Sequence, residues 1–480
     1  MTGFKEYDAY DALGLAGLVR GGEVSADELL DEALARSDAL NPTLNAVTLR
    51  FEDRARAAIE AGLPEGPFRG VPFLLKNLGA SMAGTPLTNG SRLFEDFICD
   101  HDSTLVVRYV RAGLVIFGRS ASPELGVSYA TEPLLHGPTR NPWNLDHIPG
   151  GSSGGAAAAV AARILPIAHA SDGGGSIRVP ASCCGLFGLK PTRGRSPTGP
   201  QLGESWAGMS VSHAVSLSVR DSAALLDAII GEDVGDPYGA PQPARPYLEE
   251  VGADPGVLRI AVSGRPSNGA PVDPDCLAAM DHAAALCTDL GHHVEEAEPD
   301  YDRDLIDDER VKIIASCHRA GIEARAAELG VAPEARVEPT SWHLATLADQ
   351  VSGADYAAAV ASLHRVGRQI GRFFTDYDLL LTPTLAKPPL RIGVLDPATD
   401  DFEAYAAEIQ GFAAFPPLSN ATGTPAMSVP LSWNGAGLPI GVQFIARFGD
   451  EATLFRLAAQ LEVAQPWANR RPGLVVTKGN

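Results

Sequence analysis

The chain is predicted to be an α/β protein, and three observations on its 480 residues predict it. Short apolar runs of strand length alternate with stretches that repeat apolar residues at helical spacing. A glycine-serine turn, Gly150–Gly155, opens directly onto a small-residue helix at Ala156–Arg163. Met427–Leu431 and Val442–Ile445 flank an Asn434-Gly435 loop, which is a hairpin pattern.

Taken in order, Ser25 with Glu28 forms a capping box, and Leu29, Leu30, Ala33 and Leu34 follow at helical spacing. Asn41-Pro42 is expected to end that helix. Val71–Leu75 reads as a buried strand with Lys76 at its end. Ser103–Ala112 reads as a helix and Leu114–Phe117 as the next strand. Ile164–Ala168 is expected as a strand broken by Gly173-Gly174-Gly175. Asp378–Thr382 is a strand ending at Pro383, and Asp450 caps a final helix carrying Leu454, Leu457 and Leu461. The acidic stretch Glu295–Glu309 is the best candidate for a peripheral insertion. With no repeat and no long linker, one domain over 1–480 is expected.

Composition narrows the function. Apolar residues at 45% and charged residues at 20% are ordinary for a soluble globular protein. A formal net charge of −21 repels phosphate backbones and anionic lipid, which argues against nucleic-acid and membrane partners. Met1–Gly21 lacks an apolar core of signal-peptide length, and no apolar run reaches about 18 residues, so a cytoplasmic location is expected. The six cysteines form no C-x-x-C pair and the 11 histidines no H-E-x-x-H, so no metal and no cofactor is expected.

Two serine-glycine clusters remain, Gly150-Gly-Ser-Ser-Gly-Gly155 and Ser171-Asp-Gly-Gly-Gly-Ser-Ile-Arg178. Either alone is a tight loop. Together, in order, with Lys76 upstream and Ser152 and Ser176 24 residues apart, they resemble the amidase signature family. The likeness is densest from Gly70 to Arg195 and resumes at Asn420–Ile445. It implies a central mixed, twisted β-sheet flanked by helices on both faces, with a signature core at about 65–200. A more variable region at about 235–375 would follow, and the C-terminal strands and helix would return to the core. It further implies an amide hydrolase acting through an acyl-enzyme, with Ser176 as nucleophile, Ser152 as middle proton carrier after a cis peptide bond, and Lys76 as base. The chemistry is coherent, because a serine hydroxyl needs an adjacent proton acceptor. A lysine can be that acceptor only where burial disfavours its ammonium.

Gly173, Gly174 and Gly175 offer main-chain N–H groups for an oxyanion hole. Ser153 joins the network around Lys76 or is structural. Arg178 either holds a substrate carboxylate or pairs with Asp172 to fix the loop. Tyr129 and Thr131 are expected to line the acyl pocket, and Cys317 is either a pocket or a core cysteine. His169-Ala-Ser-Asp-Gly-Gly-Gly-Ser176 departs from the family's commoner pattern. That segment is most similar to the branch of cyclic-amide hydrolases of the 6-aminohexanoate-cyclic-dimer type. Linear, cyclic and aryl amides, esters and carbamates (a urethanase) stay open as substrates, water being the other reactant, and a homodimer stays open as the assembly. The competing readings are an α/β-hydrolase with Ser153 in a G-x-S-x-G elbow and His343 or His364 as base, a tRNA amidotransferase subunit, and a non-catalytic binding protein. His169 reads as a strand residue rather than a triad member.

Overall fold

A computed structural model describes residue 4 and residues 6–474. Its strands are β1 (Val47–Arg50), β2 (Pro72–Lys76), β3 (Val115–Ser120), β4 (Ile167–Asp172), β5 (Phe187–Lys190) and β6 (Val211–Ser216). The chain continues with β7 (Arg259–Val262), β8 (His293–Glu296), β9 (Leu379–Pro383), β10 (Ala426–Trp433) and β11 (Pro439–Ala446). Eight of them form a mixed sheet in the order β4-β6-β5-β10-β11-β9-β7-β8, and β1-β3-β2 form a smaller one. Neighbours from β4 to β9 are antiparallel, whereas β9-β7-β8 and β2-β3 are parallel. The Lys76 N–H of β2 donates to His169 Nδ1 of β4 at 3.1 Å, so the small sheet is tied to the edge of the large one. Helices pack against both, which is the expected α/β class. No helix among the described residues is long and apolar enough to cross a membrane.

The capping box at Ser25 and Glu28 is formed, but the helix runs Ala26–Leu44, past Pro42. Pro42 lies in the last turn, where one missing donor matters little. The stop comes at Asn45, left-handed at φ 51°, whose N–H bonds Asn41 O at 2.8 Å. Asn41 Oδ1 then accepts from the N–H groups of both Ala46 and Val47.

The strand expected at Ile164–Ala168 starts three residues later and extends to Asp172. Arg163 turns left-handed (φ 61°) and Ile164 N–H returns to Ala159 O, so Ile164 belongs to the helix exit. Polar His169, Ser171 and Asp172 hide the rest of the strand from an apolar-run criterion. The acidic stretch 295–309, expected at the periphery, is built into two regular elements. Glu295 and Glu296 sit in edge strand β8, and the helix Asp304–Leu329 that begins within the stretch walls the site described below.

The helix Gly154–Ala161 is buried along its length because its small residues let backbones approach. A Cβ on Gly155 would stand 2.2 Å from Ala121 N and 2.6 Å from Ala46 O, both rigid backbone atoms. Gly155→Ala is therefore expected to destabilise the protein by about 1–3 kcal/mol through overpacking. Gly371 is exposed on the helix Gly353–Phe373 and has nothing within 4 Å of such a Cβ. Gly371→Ala is expected to stabilise by roughly 0.5–1 kcal/mol. Urea denaturation of the two variants checks this, and shifts of the same sign would contradict the packing account.

Candidate active site

Strand β2 delivers Lys76 into the interior, where it is 0% exposed. Its Nζ lies 2.7 Å from Ser152 Oγ and 3.0 Å from Ser171 Oγ. Burial lowers the ammonium to a pKa of about 7, while the charge of Asp172 works the other way. Burial thus favours the neutral amine, which has a lone pair for a hydroxyl proton. His169 is a strand residue, and burial, with the charges of Lys76, Arg119 and His213, holds it neutral. Its Nδ1 accepts from Lys76 N–H, so the proton sits on Nε2, which is buried without an acceptor.

The first serine cluster forms the turn into the helix at Gly154. The Gly151–Ser152 peptide bond is cis. Thr131 Oγ1 donates to Gly150 O at 2.9 Å and packs against Gly154, so it clamps this turn and does not line the cavity. Ser153 is 0% exposed, with Oγ donating to Ser171 O at 3.3 Å and accepting from Ser171 N–H at 3.4 Å. An enclosed hydroxyl bound to main chain cannot reach a substrate. No strand leads directly into the turn, since residues 121–153 hold none, and these facts weigh against a nucleophile elbow at Ser153.

The second cluster leaves β4 and turns around Asp172. The Asp172 carboxylate accepts from Gly175 N–H (2.7 Å), Ile177 N–H (3.1 Å) and Arg178 Nε (3.0 Å) and Nη2 (2.9 Å). Arg178, with no exposure, also donates to Asn420 Oδ1, Gln443 Oε1 and Pro416 O. Burial works to raise the Asp172 carboxyl, but the Arg178 charge and hydrogen bonds hold it well below the ordinary range. Arg178 is thus spent on the loop rather than presented to a ligand. Gly175 N–H, one of the three expected oxyanion donors, is likewise taken by Asp172. The N–H groups of Gly173, Gly174 and Ser176 have no acceptor among the described residues.

Ser176 opens onto a cavity of about 220 Å³. Its hydroxyl has no partner among the described residues, and the hydrogen bonds from Ser171 through Lys76 stop at Ser152. Tyr129 lines the cavity as expected and donates to Gly174 O at 2.8 Å. Cys317 does not line it. Its Sγ lies 3.9 Å from Tyr356 Oη within a second apolar cluster. Sequence reasoning missed Ser171, although it lies in the quoted segment. It also missed most of the wall: Trp206, Arg310, Ile314, Leu344, Tyr405, and His343 stacked on Phe402 at 4.0 Å. These come from three separate helical segments and a loop, and no local pattern marks them.

Comparison with known proteins shows the family. The family model described as Amidase matches residues 28–455, and the chain belongs to the amidase signature family, as a hydrolase of carbon–nitrogen bonds. It is 42% identical over 480 residues to the 6-aminohexanoate-cyclic-dimer hydrolases of Pseudomonas sp. (strain NK87) and Paenarthrobacter ureafaciens, covering 97% of each chain compared. A solved structure of 6-aminohexanoate cyclic dimer hydrolase superposes with a TM-score of 0.92 at 40% identity, covering 97% of this chain and 99% of the other. A bacterial aryl acylamidase of the same family superposes with a TM-score of 0.87 at 28% identity, covering 96% and 99%.

The lowered Lys76 value has a consequence for stability. Between about pH 7 and 10 the unfolded lysine (pKa near 10.4) holds a proton that the folded one has released. Stability therefore rises with pH in that window, by at most about 1.4 kcal/mol per unit from this group. In urea denaturation from pH 6 to 10, wild type is expected to gain on Lys76→Met above pH 7. A pH-independent difference between the two would contradict a depressed lysine.

Proposed function

We propose that the protein hydrolyses small amides through a Ser176 acyl-enzyme, with Ser152 as proton carrier and Lys76 as general base. The observation that carries this reading is the juxtaposition of a fully buried Lys76, whose ammonium that burial disfavours, 2.7 Å from Ser152 Oγ with a Ser176 hydroxyl open to the cavity. Neutral Lys76 takes the Ser152 proton as Ser152 takes that of Ser176, and Ser176 Oγ attacks the amide carbon. The carbonyl oxygen becomes an oxyanion facing the free N–H groups of Gly173 and Gly174 or of Ser176. The C–N bond breaks as the proton returns through Ser152 to the departing nitrogen. Water then attacks the acyl ester by the reverse relay and releases the acid.

Most of the wall is aromatic and aliphatic, which suits a substrate with an alkyl or aryl body. The likeness to 6-aminohexanoate-cyclic-dimer hydrolases favours a cyclic amide, and the aryl acylamidase an aryl amide. Esters and carbamates belong to the same reading, since acyl-enzyme formation and hydrolysis are shared. Water and the small amide are the reactants proposed, in a single domain of cytoplasmic location.

A fluorophosphonate probe tests the assignment, since attack forms an Oγ–P bond and expels fluoride. Peptide mapping is expected to find the label on Ser176 alone, and Ser176→Ala to abolish it. Ser152→Ala and Lys76→Ala should slow labelling and amide turnover by roughly a thousandfold or more, with unchanged circular dichroism. A label on Ser153, or labelling that survives in Ser176→Ala, would overturn the reading.

A further inference from the structure

The cavity wall carries a charge that the proposed chemistry does not use. Arg310, on the helix Asp304–Leu329, is the single charged residue among the lining residues described, in a protein of net charge −21. No Asp or Glu is among the described residues that line the cavity. A guanidinium presents five N–H donors in a fixed fork and keeps its charge at any working pH. Among the described residues one of these donors is answered: Nη2 donates to Asp307 Oδ1 at 3.1 Å. The side chain is 12% exposed, and Nε is buried without an acceptor.

Nη1 also lacks a partner among the described residues, and it lies 3.6 Å from where a Cβ on Gly174 would stand. It therefore stands beside the glycine segment that ends in Ser176. An unanswered charged donor in an apolar wall is costly to desolvate, and a ligand acceptor relieves that cost. A monofunctional alkyl amide filling the cavity would strip water from Arg310 and return nothing. A substrate with a second oxygen acceptor answers it.

We infer that Arg310 is the specificity-determining residue of this cavity, selecting amides whose acyl or amine arm bears a second carbonyl or carboxylate oxygen. The inference rests on the reading that Ser176 attacks in this cavity. Both oxygen types fit the same fork, because Asp307 already offsets part of the charge. The apolar lining side chains Trp206, Ile314, Leu344 and Ile409 would hold the methylenes between the two polar ends.

Six probes test it. Hexanoyl, 5-carbamoylpentanoyl and adipoyl p-nitroanilides vary the acyl arm from no acceptor to neutral amide to carboxylate. Hexanamides of hexylamine, 6-aminohexanamide and 6-aminohexanoate vary the amine arm in the same way. The readout is the kcat/KM ratio of acceptor-bearing to plain substrate, which does not depend on the fraction of folded enzyme. Where turnover is too slow, the same compounds are ranked by how far they protect Ser176 from phosphonylation.

In wild type at least one arm is expected to show a preference of about tenfold or more. Arg310→Gln should bring that ratio to within about twofold of one, while Arg310→Lys keeps part of a carboxylate preference. Which oxygen is preferred identifies the carbonyl or the carboxylate as the group recognised. No preference in either arm, or a preference that survives Arg310→Gln, overturns the inference. Ser176→Ala separates the two readings, since turnover that persists in it would refute the nucleophile and leave the Arg310 ratios standing.

Discussion

The site depends on keeping one lysine uncharged inside the protein. Burial does this, and the fold has to contain the one influence that opposes it, the carboxylate of Asp172. Asp172 cannot be dispensed with, because it gathers Gly175 N–H and Ile177 N–H into the turn that presents Ser176. Arg178 resolves the conflict. It forms a fully buried ion pair with Asp172, so part of the carboxylate field ends on the guanidinium instead of on the Lys76 ammonium. Lys190 adds to that offset, and burial lowers its own ammonium to about 7.

Distant parts of the chain converge on this hub. Asn420 joins Arg178 and Asp172, Gln443 on β11 accepts from Arg178, and Pro416 O takes a further donor. The C-terminal hairpin therefore fixes a turn that leaves β4 far earlier in the sequence. On the other side, glycines bring the first serine turn against fixed backbone: a Cβ on Gly151 would meet Tyr129 C at 2.7 Å, and one on Gly150 would meet Pro180 Cα at 2.8 Å. Leu125, left-handed at φ 50° without being glycine, lies in the segment leading to Gly126 on the cavity wall. Such backbone persists where the surroundings over-determine it, and here it borders the site.

The sequence made some of this legible and concealed the rest for physical reasons. Lys76, Ser152 and Ser176 could be read because each sits in a short motif whose glycines and apolar run are local. Capping residues were equally readable at Ser25 and Asp450, since a cap is a contact across three residues. β4 was displaced because its outer half is polar, and it is polar because Ser171 and Asp172 serve the site. Thr131 was expected in the pocket from its position near the serine turn. Its hydroxyl instead finds Gly150 O, a partner no spacing rule indicates. The wall of the cavity was out of reach, since Trp206, Arg310, His343 and Phe402 become neighbours only when the chain is folded.

The central claim is a charge state, so the most direct measurement is the titration of Lys76 itself. Protein labelled with ¹³C at the lysine ε carbon, compared with Lys76→Met to assign the resonance, would follow that one amine from pH 5 to 11. The account predicts a midpoint near the value of about 7 that burial imposes. A midpoint near the free-lysine value of about 10.4 would contradict it. In that case Lys76 could not be the base at neutral pH, and the network around Ser152 would need another proton acceptor.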